Sequence, residues 1–247
     1  MLWNAHRGLH LKIFTRRKCK KPLLTWLFSP DRLSPMTDLN LSSKIYAHRG
    51  FWNLKEEQNT MEAFRSAQVN QFAVETDFRD HCGQVVISHD PVESKTGLIA
   101  LSAYLDLGIK TAVNIKSDGL SDFFDESREI LEAHGSWVFD GSIPEMLRYK
   151  DKGIKHALRI SELEKEVPWT PQVLWVDCFI EDWYIGQRNL IDKFSNLEIV
   201  FVSPELHQRD FDNAWDYFEE LINEGISNVS ICTDFPDKFL ERFSNEI

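Results

Sequence analysis

Two carboxylates stand two residues apart within an apolar run of the sequence. Glu75 and Asp77 are flanked by Ala73, Val74 and Phe78. In an extended strand, side chains at positions i and i+2 lie on the same face, roughly 7 Å apart. Two carboxylates on one buried face repel each other unless a positive group lies between them. Because Mg²⁺ and Ca²⁺ prefer oxygen ligands, the pair predicts a divalent-cation site. An exposed Glu-x-Asp pair is the alternative, and the apolar neighbours argue against it.

Two histidines end β-rich runs and are each followed by a polar residue. His48 precedes Arg49, and His89 precedes Asp90. Two imidazoles that face one phosphorus can supply a base for the attacking oxygen and an acid for the leaving oxygen. Arg49 can hold a phosphate oxygen through a forked pair of hydrogen bonds. A lone histidine is more often structural, but together with the two carboxylates this pair predicts phosphodiester cleavage.

Eight short β-rich runs alternate with amphipathic segments between residues 44 and 236. The predicted strands are 44–47, 73–78, 111–115, 137–139, 156–160, 173–176, 198–202 and 228–232. Helices are predicted over 60–69, 121–134, 182–194 and 211–223. This alternation is typical of βαβ units with a parallel sheet, and eight such strands predict an α/β fold of the (β/α)8 TIM-barrel type. A further run, 85–88, predicts a small β-hairpin inserted after the second strand.

The carboxyl ends of the strands carry the chemistry in barrels of this kind. Asn114, Asp140, Arg159 and Asp177 stand at or beside the ends of later predicted strands. We therefore expect them at the mouth of the barrel, where Arg159 and Asp177 line the pocket. Trp52 follows the His48 turn and is expected to line the same pocket.

Several motifs in a fixed order make the sequence similar to a known family. They are Ala47-His48-Arg49-Gly50, Asn59-Thr60, Glu75-x-Asp77, Gly83-x-Val85-Val86-x-x-His89-Asp90 and Thr233-Asp234-Phe235-Pro236. Together they resemble the glycerophosphodiester phosphodiesterase family, which belongs to the phospholipase-C-like phosphodiesterase superfamily. The resemblance implies a metal-dependent phosphoric diester hydrolase. Water or a neighbouring substrate hydroxyl would attack the phosphorus.

The resemblance also implies roles for individual residues. His48 and His89 would be the general acid/base pair, and Glu75 and Asp77 would ligate Mg²⁺ or Ca²⁺. Phosphate contacts would come from Arg49 and Lys116, with Asn59 in the pocket.

Two positions depart from the family pattern. Asn114 stands where the family usually has a third acidic metal ligand, so the site loses one negative charge and should bind the cation more weakly. Asp140, at a later strand end, could compensate as a further ligand. Gln58 replaces a common glutamate.

A narrower resemblance lies in 114–119, in 138–140 with Pro144, and in 159–162. Similar strings occur in a short bacterial branch of the family encoded among surface-polysaccharide genes, which also keeps asparagine at the third position. This match favours a glycan-linked or glycerol-linked diester, and thus a role in lipid or glycan metabolism. A simple Arg159–Glu162 pair at the barrel rim is the alternative for the last string.

Charge and cysteine usage restrict the class of protein. Residues 1–35 carry a net charge of +7 and the remainder −18, which together give −11. Such an acidic body argues against nucleic acid as a partner. No apolar run approaches the roughly 20 residues of a membrane span. The four cysteines show no CxxC pairing and predict free thiols in a reducing, cytoplasmic location.

Residues 1–43 predict a basic extension, and residues 44–247 a single phosphodiesterase barrel. The extension is either disordered or an upstream reading of a chain that begins at Met36, and a membrane-touching segment is the third possibility. The tetrapeptide Ala5–Gly8, which repeats 47–50, lacks the following motifs and is interpreted as coincidence.

Two other functions stay open beside hydrolysis of a small-molecule diester. One is a catalytically impaired barrel that binds a phosphorylated ligand, having lost turnover through Asn114. The other is a lyase that stops at a cyclic phosphate. The oligomeric state is not predicted.

Overall fold

A computed structural model describes residues 41–93 and 97–244. All of them belong to one compact unit, Pro35–Ile247. The predicted basic extension up to residue 40 lies outside the described residues, as do Met36, Cys19 and the 5–8 tetrapeptide.

In residues 41–93 and 97–244, ten strands form one central sheet. They are β1 Ile45–His48, β2 Ala73–His81, β3 Gln84–Ile87, β4 Ile99–Ala100, β5 Thr111–Ile115, β6 Trp137–Phe139, β7 Ala157–Ile160, β8 Val173–Val176, β9 Glu198–Val202 and β10 Val229–Thr233. The bounds of β5, β6, β8 and β9 agree with the predicted runs, and the other predicted runs shift by one to three residues at their ends. β4 was not predicted.

Eight of these strands pair in parallel. β1 lies between β2 and β10, β2 also pairs with β5, and β5 pairs with β6. From β10 the order continues through β9 and β8 to β7. A single parallel bridge joins Val138 of β6 to His156, the residue before β7, and the Val138 N–H donates to the Lys155 carbonyl at 3.1 Å. The predicted mixed α/β class with a central sheet is confirmed.

The second half of β2 also pairs with β3 in antiparallel register, from Phe78 opposite Ile87 to His81 opposite Gln84. Cys82 and Gly83 connect the two strands, and their φ angles are +50° and +77°. Positive φ at both central residues is the geometry of a tight two-residue hairpin turn. β4 extends this ribbon by pairing with β3.

Eight helices lie between or after the strands in the described part of the chain. They are α1 Met61–Val69, α2 Leu101–Leu105, α3 Ser121–Glu126, α4 Arg128–Ala133, α5 Ile143–Asp151, α6 Arg188–Lys193, α7 Asp212–Asn223 and α8 Pro236–Ser244. Short 3-10 turns cover Lys55–Glu57 and Pro204–His207. None of the helices in 41–93 and 97–244 combines the length and apolarity that crossing a bilayer requires.

Two predicted helices are shorter than expected. The predicted helix 121–134 is broken at Ser127, whose backbone (φ −99°, ψ 7°) separates α3 from α4. The predicted helix 182–194 is helical only over α6, because Gly186 adopts a φ of +74°. Before that glycine, Trp183 Nε1 donates to the Asp177 carbonyl at 2.7 Å. This segment is therefore held to the end of β8 by a side-chain hydrogen bond that lies outside any helix.

A polar cluster lies at the amino ends of the strands, at one end of the apolar core. Tyr46 Oη donates to Glu198 Oε1 at 2.8 Å and accepts from Trp137 Nε1 at 3.1 Å. Lys110 Nζ lies 2.7 Å from the same Glu198 oxygen. Buried apolar strand residues fill the space above this cluster. The carboxyl ends of the strands are left for polar side chains.

Cys82, Cys178 and Cys232 are free thiols, as predicted.

Candidate active site

A cavity of about 170 Å³ opens at the carboxyl ends of the parallel strands. Eight of the predicted site residues line it, namely His48, Arg49, Glu75, Asp77, Asn114, Lys116, Asp140 and Asp177. Parallel pairing explains the gathering, because it brings the carboxyl ends of neighbouring strands to one edge of the sheet.

Three oxygen-bearing side chains form the floor of the cavity. Glu75, Asp77 and Asn114 are 3%, 1% and 8% exposed. Asp77 lies opposite Asn114 in the β2–β5 register, and Asn114 Nδ2 donates to Glu75 Oε1 at 2.9 Å. Within the described residues, three of their buried oxygens lack a hydrogen-bond partner: Glu75 Oε2, Asp77 Oδ1 and Asn114 Oδ1. Buried polar atoms are rarely left unsatisfied, and three hard oxygens together fit a divalent cation.

The two carboxylates of this floor respond differently to burial. Burial and the charge of Asp77 raise the pKa of Glu75, and His48 offsets part of the effect. Burial alone would raise the pKa of Asp77 as well, but the positive charges of Lys116 and Arg49 lower it below its usual range. Lys116 Nζ lies 3.3 Å from Asp77 Oδ1, and Arg49 Nε lies 3.0 Å from Oδ2. Asp77 is thus stabilised as an anion, whereas a further positive charge in the cavity would be needed to bring the raised pKa of Glu75 down.

His48 is held in place by Asp234. His48 Nδ1 lies 2.7 Å from Asp234 Oδ1, and its Nε2 lies 3.8 Å from Glu75 Oε2. Burial lowers the pKa of His48, but the Asp234 hydrogen bond and the Glu75 charge outweigh it and raise the pKa. An imidazole fixed at one nitrogen by a carboxylate has the arrangement of an acid/base residue.

Asp234 was not assigned to the site from sequence, although it belongs to the closing motif. The pairing of β1 with β10, rather than any local motif, brings Asp234 to the site. β10 pairs in parallel with β1, with Thr233 opposite Ala47. The next residues in sequence, His48 at the end of β1 and Asp234 directly after β10, therefore lie beside each other.

A left-handed turn directs Arg49 towards Asp77. Arg49 has a φ of +59° and Gly50 a φ of +91°, and the Arg49 N–H donates to the Glu75 carbonyl at 2.7 Å. Gln58 Oε1 accepts from Arg49 Nη1 at 3.3 Å. Gln58, which replaces a common glutamate, thus still accepts a hydrogen bond from the Arg49 guanidinium, although it carries no negative charge.

Asn59 and Trp52 support the cavity from outside its lining. Asn59 Nδ2 donates to Asp77 Oδ2 at 3.0 Å and its Oδ1 accepts from Thr76 at 2.7 Å. Trp52 Nε1 donates to the His48 carbonyl at 2.8 Å. Both residues therefore hold cavity residues in place.

Asp140 lies between two cations. Lys116 Nζ lies 3.8 Å from Asp140 Oδ2, and Arg159 Nη1 lies 2.6 Å from Oδ1. Burial raises the pKa of Asp140, although both cations oppose the increase. Arg159 also pairs with Glu164. It does not pair with Glu162, because Glu162 Oε1 instead accepts the Glu181 N–H at 3.3 Å. The alternative of an Arg159–Glu162 pair is therefore wrong.

His89 is not part of the cavity lining. Its side chain is 45% exposed, and Nδ1 lies 3.0 Å from Asp90 Oδ1. Arg79 Nη1 donates to its carbonyl at 3.0 Å. Its charge is still near enough to contribute to the lowered pKa of Asp77. His89 thus lies at the margin of the site.

A second histidine in the lining was missed from sequence. His207 ends the Pro204–His207 turn after β9, and its Nε2 lies 2.8 Å from Asp177 Oδ1. Cys178 lies beside them, and the potential ligand atoms of the three residues are within 4.8 Å of one another. However, Cys178 Sγ donates to the Val202 carbonyl at 3.3 Å, and burial raises the pKa of its thiol to about 12. Because the Cys178 sulfur already has a backbone partner and His207 Nε2 lies at hydrogen-bond distance from Asp177, we interpret this group as a histidine–aspartate pair.

Comparisons with known proteins identify the fold. No family model matches the sequence, and no curated protein sequence matches it. The glycerophosphodiester phosphodiesterase from Agrobacterium tumefaciens str. C58 superimposes with a TM-score of 0.60 at 16% identity, over 81% of this chain and 99% of that one. A Galdieria sulphuraria protein assigned to the same enzyme class gives a TM-score of 0.57 at 15% identity, over 82% and 98%. The resemblance that the motifs predict is thus confirmed at the level of the fold.

Proposed function

We propose that this protein hydrolyses a phosphodiester with the help of a divalent cation. The observation that carries the proposal is the composition of one cavity. Three buried oxygens without a hydrogen-bond partner among the described residues, on Glu75, Asp77 and Asn114, lie near the His48–Asp234 pair. One of them, Asp77 Oδ1, faces Lys116 Nζ at 3.3 Å. Sites of this kind combine an acid/base residue with a cation that offsets the charge of the phosphoryl group.

The proposed scaffold is a single (β/α)8 barrel over residues 44–247, with the β2–β3 ribbon as an insertion. Support comes from the eight parallel strands, whose pairing runs from β6 through β5, β2, β1 and β10 to β7. The Val138–His156 bridge is the contact that would close the ring. The similarity to phosphodiesterase structures agrees with this closure.

Glu75, Asp77 and Asn114 would hold the cation, which we propose to be Mg²⁺ or Ca²⁺ because all three offer hard oxygen atoms. When bound, such an ion polarises a phosphoryl oxygen. Asp140 is a less suitable ligand, because neither of its oxygens is among the buried atoms without a hydrogen-bond partner in the described residues, and Arg159 Nη1 lies 2.6 Å from its Oδ1.

Arg49 and Lys116 would bind the phosphate. Both lie within 3.3 Å of Asp77 oxygens. They therefore present positive charge to the cavity that an anionic diester can share. An acidic protein needs such a local charge, since its overall field repels anions.

His48 and His89 would share the acid/base work, as the motifs imply. His48 has the supporting geometry, with Asp234 fixing one ring nitrogen. His89 would act from the margin of the site. The substrate class is a glycerophosphodiester-like or glycan-linked diester, and the free thiols favour a reducing, cytoplasmic location.

An assay of a glyceryl diester tests this function in the presence of Mg²⁺, Ca²⁺ or Mn²⁺ and in chelator. We expect turnover with at least one cation, loss of turnover in chelator, and a loss of about 10²-fold or more in Asp77→Asn. Asp80→Asn, an exposed change on the same strand, is the matched control and should keep full activity.

Phosphorus NMR of the product separates the alternatives. A monoester product supports hydrolysis, whereas a cyclic phosphate as the end product indicates a lyase. If no cation supports turnover of any diester while glycerol phosphate still binds, the protein is the impaired binder instead.

A further inference from the structure

A second histidine–carboxylate pair lines the cavity, in addition to His48, which Asp234 holds from outside the lining. His207 Nε2 lies 2.8 Å from Asp177 Oδ1, and both side chains line the cavity. Asp177 is 6% exposed, and its Oδ1 also accepts the Cys178 N–H at 2.9 Å. His207 belongs to none of the motifs that carry the family resemblance. The pair therefore has no assigned role.

The His207 ring is fixed on two sides. Asp177 holds Nε2, and the Phe179 ring packs beside the imidazole with centroids 5.1 Å apart. The Arg159 guanidinium in turn lies 5.2 Å from the Phe179 ring. An imidazole anchored through one nitrogen presents its other nitrogen in a defined direction, and the partner carboxylate stabilises the imidazolium. His207 thus has the support that an acid/base residue needs.

His89 lacks comparable support. It is 45% exposed and pairs with Asp90, which is itself 87% exposed. Exposed ion pairs are screened by water and fix a side chain only weakly. Of the two histidines, His207 is therefore better placed to act within the cavity.

We propose that His207, oriented by Asp177, is the residue that protonates the leaving alcohol. This inference rests on the proposed phosphodiester hydrolysis and reassigns one of its proton transfers from His89. As the bond between phosphorus and the leaving oxygen breaks, that oxygen takes the bond's electron pair and the proton from His207 Nδ1. The neutral imidazole then regains a proton from water. The attacking water contributes the oxygen of the new P–O bond and loses its proton to the base.

Two esters of the same phosphate distinguish this role. A p-nitrophenyl diester leaves as a stable phenolate that needs no proton, whereas an alkyl diester leaves as an alcohol that does. We expect His207→Ala to lower kcat/KM about 10²–10⁴-fold for the alkyl ester and only a few-fold for the p-nitrophenyl ester. Asp177→Asn should show a smaller selective loss, because an amide does not stabilise the imidazolium.

Controls separate a chemical role from a structural one. His207→Gln keeps a polar side chain of similar size and should show the same selectivity if the ring itself delivers the proton. His81→Ala, on the β2 end outside the cavity, should leave both rates unchanged. Thermal unfolding of each variant shows whether a uniform loss comes from an altered fold.

The outcomes are distinct for the inference and for the proposed function. Equal losses on both esters in His207→Ala, or no loss, overturn the inference. A selective loss in His89→Ala without one in His207→Ala also overturns it and returns the role to His89. If the wild-type enzyme cleaves neither ester with any cation, the proposed function is wrong and the inference falls with it.

Discussion

Asn114 Nδ2 donates a hydrogen bond to Glu75 Oε1 across 2.9 Å, from one strand of the sheet to the next. The amide thereby stabilises a carboxylate whose pKa burial and Asp77 raise. A carboxylate at position 114 could not donate this bond. The asparagine therefore makes the site more stable without a cation, at the cost of one negative charge that would strengthen cation binding.

We predict that Asn114→Glu tightens binding of Mg²⁺ or Mn²⁺ by about tenfold or more, since it adds a third acidic ligand. In chelator, the same change should lower the unfolding temperature, because three carboxylates then repel one another in a buried site. Calorimetric titration and thermal unfolding measure the two effects.

Asn70→Asp is the control for the added charge, because Asn70 lies on the exposed end of α1. It should leave the cation affinity unchanged. An unaltered affinity in Asn114→Glu would place position 114 outside the coordination shell.

His48→Ala should lower kcat by about 10²–10⁴-fold on both alkyl and p-nitrophenyl diesters. The loss is independent of the leaving group because His48, beside the floor of the cavity, is expected to act on the attacking oxygen. Asp234→Asn should cause a smaller loss in the same direction, since the ring keeps a hydrogen-bond partner at Nδ1 but loses the charge that raises its pKa. Steady-state kinetics measures both.

A full rate in His48→Ala would contradict the two-histidine mechanism. His134→Ala, in the turn after α4, is a matched change outside the cavity and should keep full activity. A loss confined to the alkyl ester in His48→Ala would instead exchange the proposed roles of His48 and His207.

Local sequence patterns predicted the residues that neighbouring strands bring together. The bounds of β5, β6, β8 and β9 follow from short runs of β-branched and aromatic residues. In β5 and β8 every residue of the run is buried. Glu75 and Asp77 share a face through the period of two in a strand, and His48 pairs with Glu75 in the β1–β2 register. This part of the site could thus be read from spacing alone.

Contacts between distant turns could not be predicted in this way. His207 contacts Asp177 although the two residues are 30 positions apart in the sequence. The Pro204–His207 turn separates His207 from the end of β9, so its position could not be inferred from the strand pattern. The break between α3 and α4 was also missed, because Phe124 and Leu131 are both buried and the apolar stripe continues through Ser127. Arg159 takes Glu164 instead of Glu162 as its partner because the backbone N–H groups of Ile180 and Glu181 bind Glu162.

The cluster at the amino ends of the strands should make stability depend on pH. Burial raises the pKa of Glu198, but Lys110, Tyr46 and Lys155 outweigh it and lower the pKa below the usual range of a glutamate. A lowered pKa in the folded state contributes stability that is fully present above the unfolded value. This stability is lost as the pH falls through the folded value.

We therefore predict that Glu198→Gln lowers the free energy of unfolding by about 1–3 kcal/mol at pH 7. The difference from the wild type should persist down to about pH 5 and shrink at lower pH, where Glu198 itself becomes protonated. Urea unfolding across this range measures it. Glu62→Gln, an exposed change in the first turn of α1, should show little difference at any pH, and a pH-independent deficit in Glu198→Gln would contradict the electrostatic origin.

The turn after His48 has glycine at position 50, and Gly83 in the β2–β3 turn is a comparison that shows whether backbone conformation or lack of space requires it. Both have positive φ, +91° and +77°. A Cβ on Gly50 would lie 2.8 Å from Ala63 Cβ, whereas a Cβ on Gly83 would meet nothing within 4 Å. Gly83→Ala should therefore lose about 1 kcal/mol of stability from backbone strain alone. Gly50→Ala should lose about 2–4 kcal/mol, because the clash with α1 adds to the strain.

The two substitutions should also differ in activity. Relief of the Gly50 clash would move the turn that carries Arg49, whose Nε lies 3.0 Å from Asp77. We expect Gly50→Ala to raise KM for the diester as well as to destabilise the protein, while Gly83→Ala keeps the wild-type KM. Urea unfolding and steady-state kinetics on the same preparations separate the two effects. Equal stability losses in the two variants would show that contact with α1 does not constrain the turn, and strain would then be the whole reason for glycine at position 50.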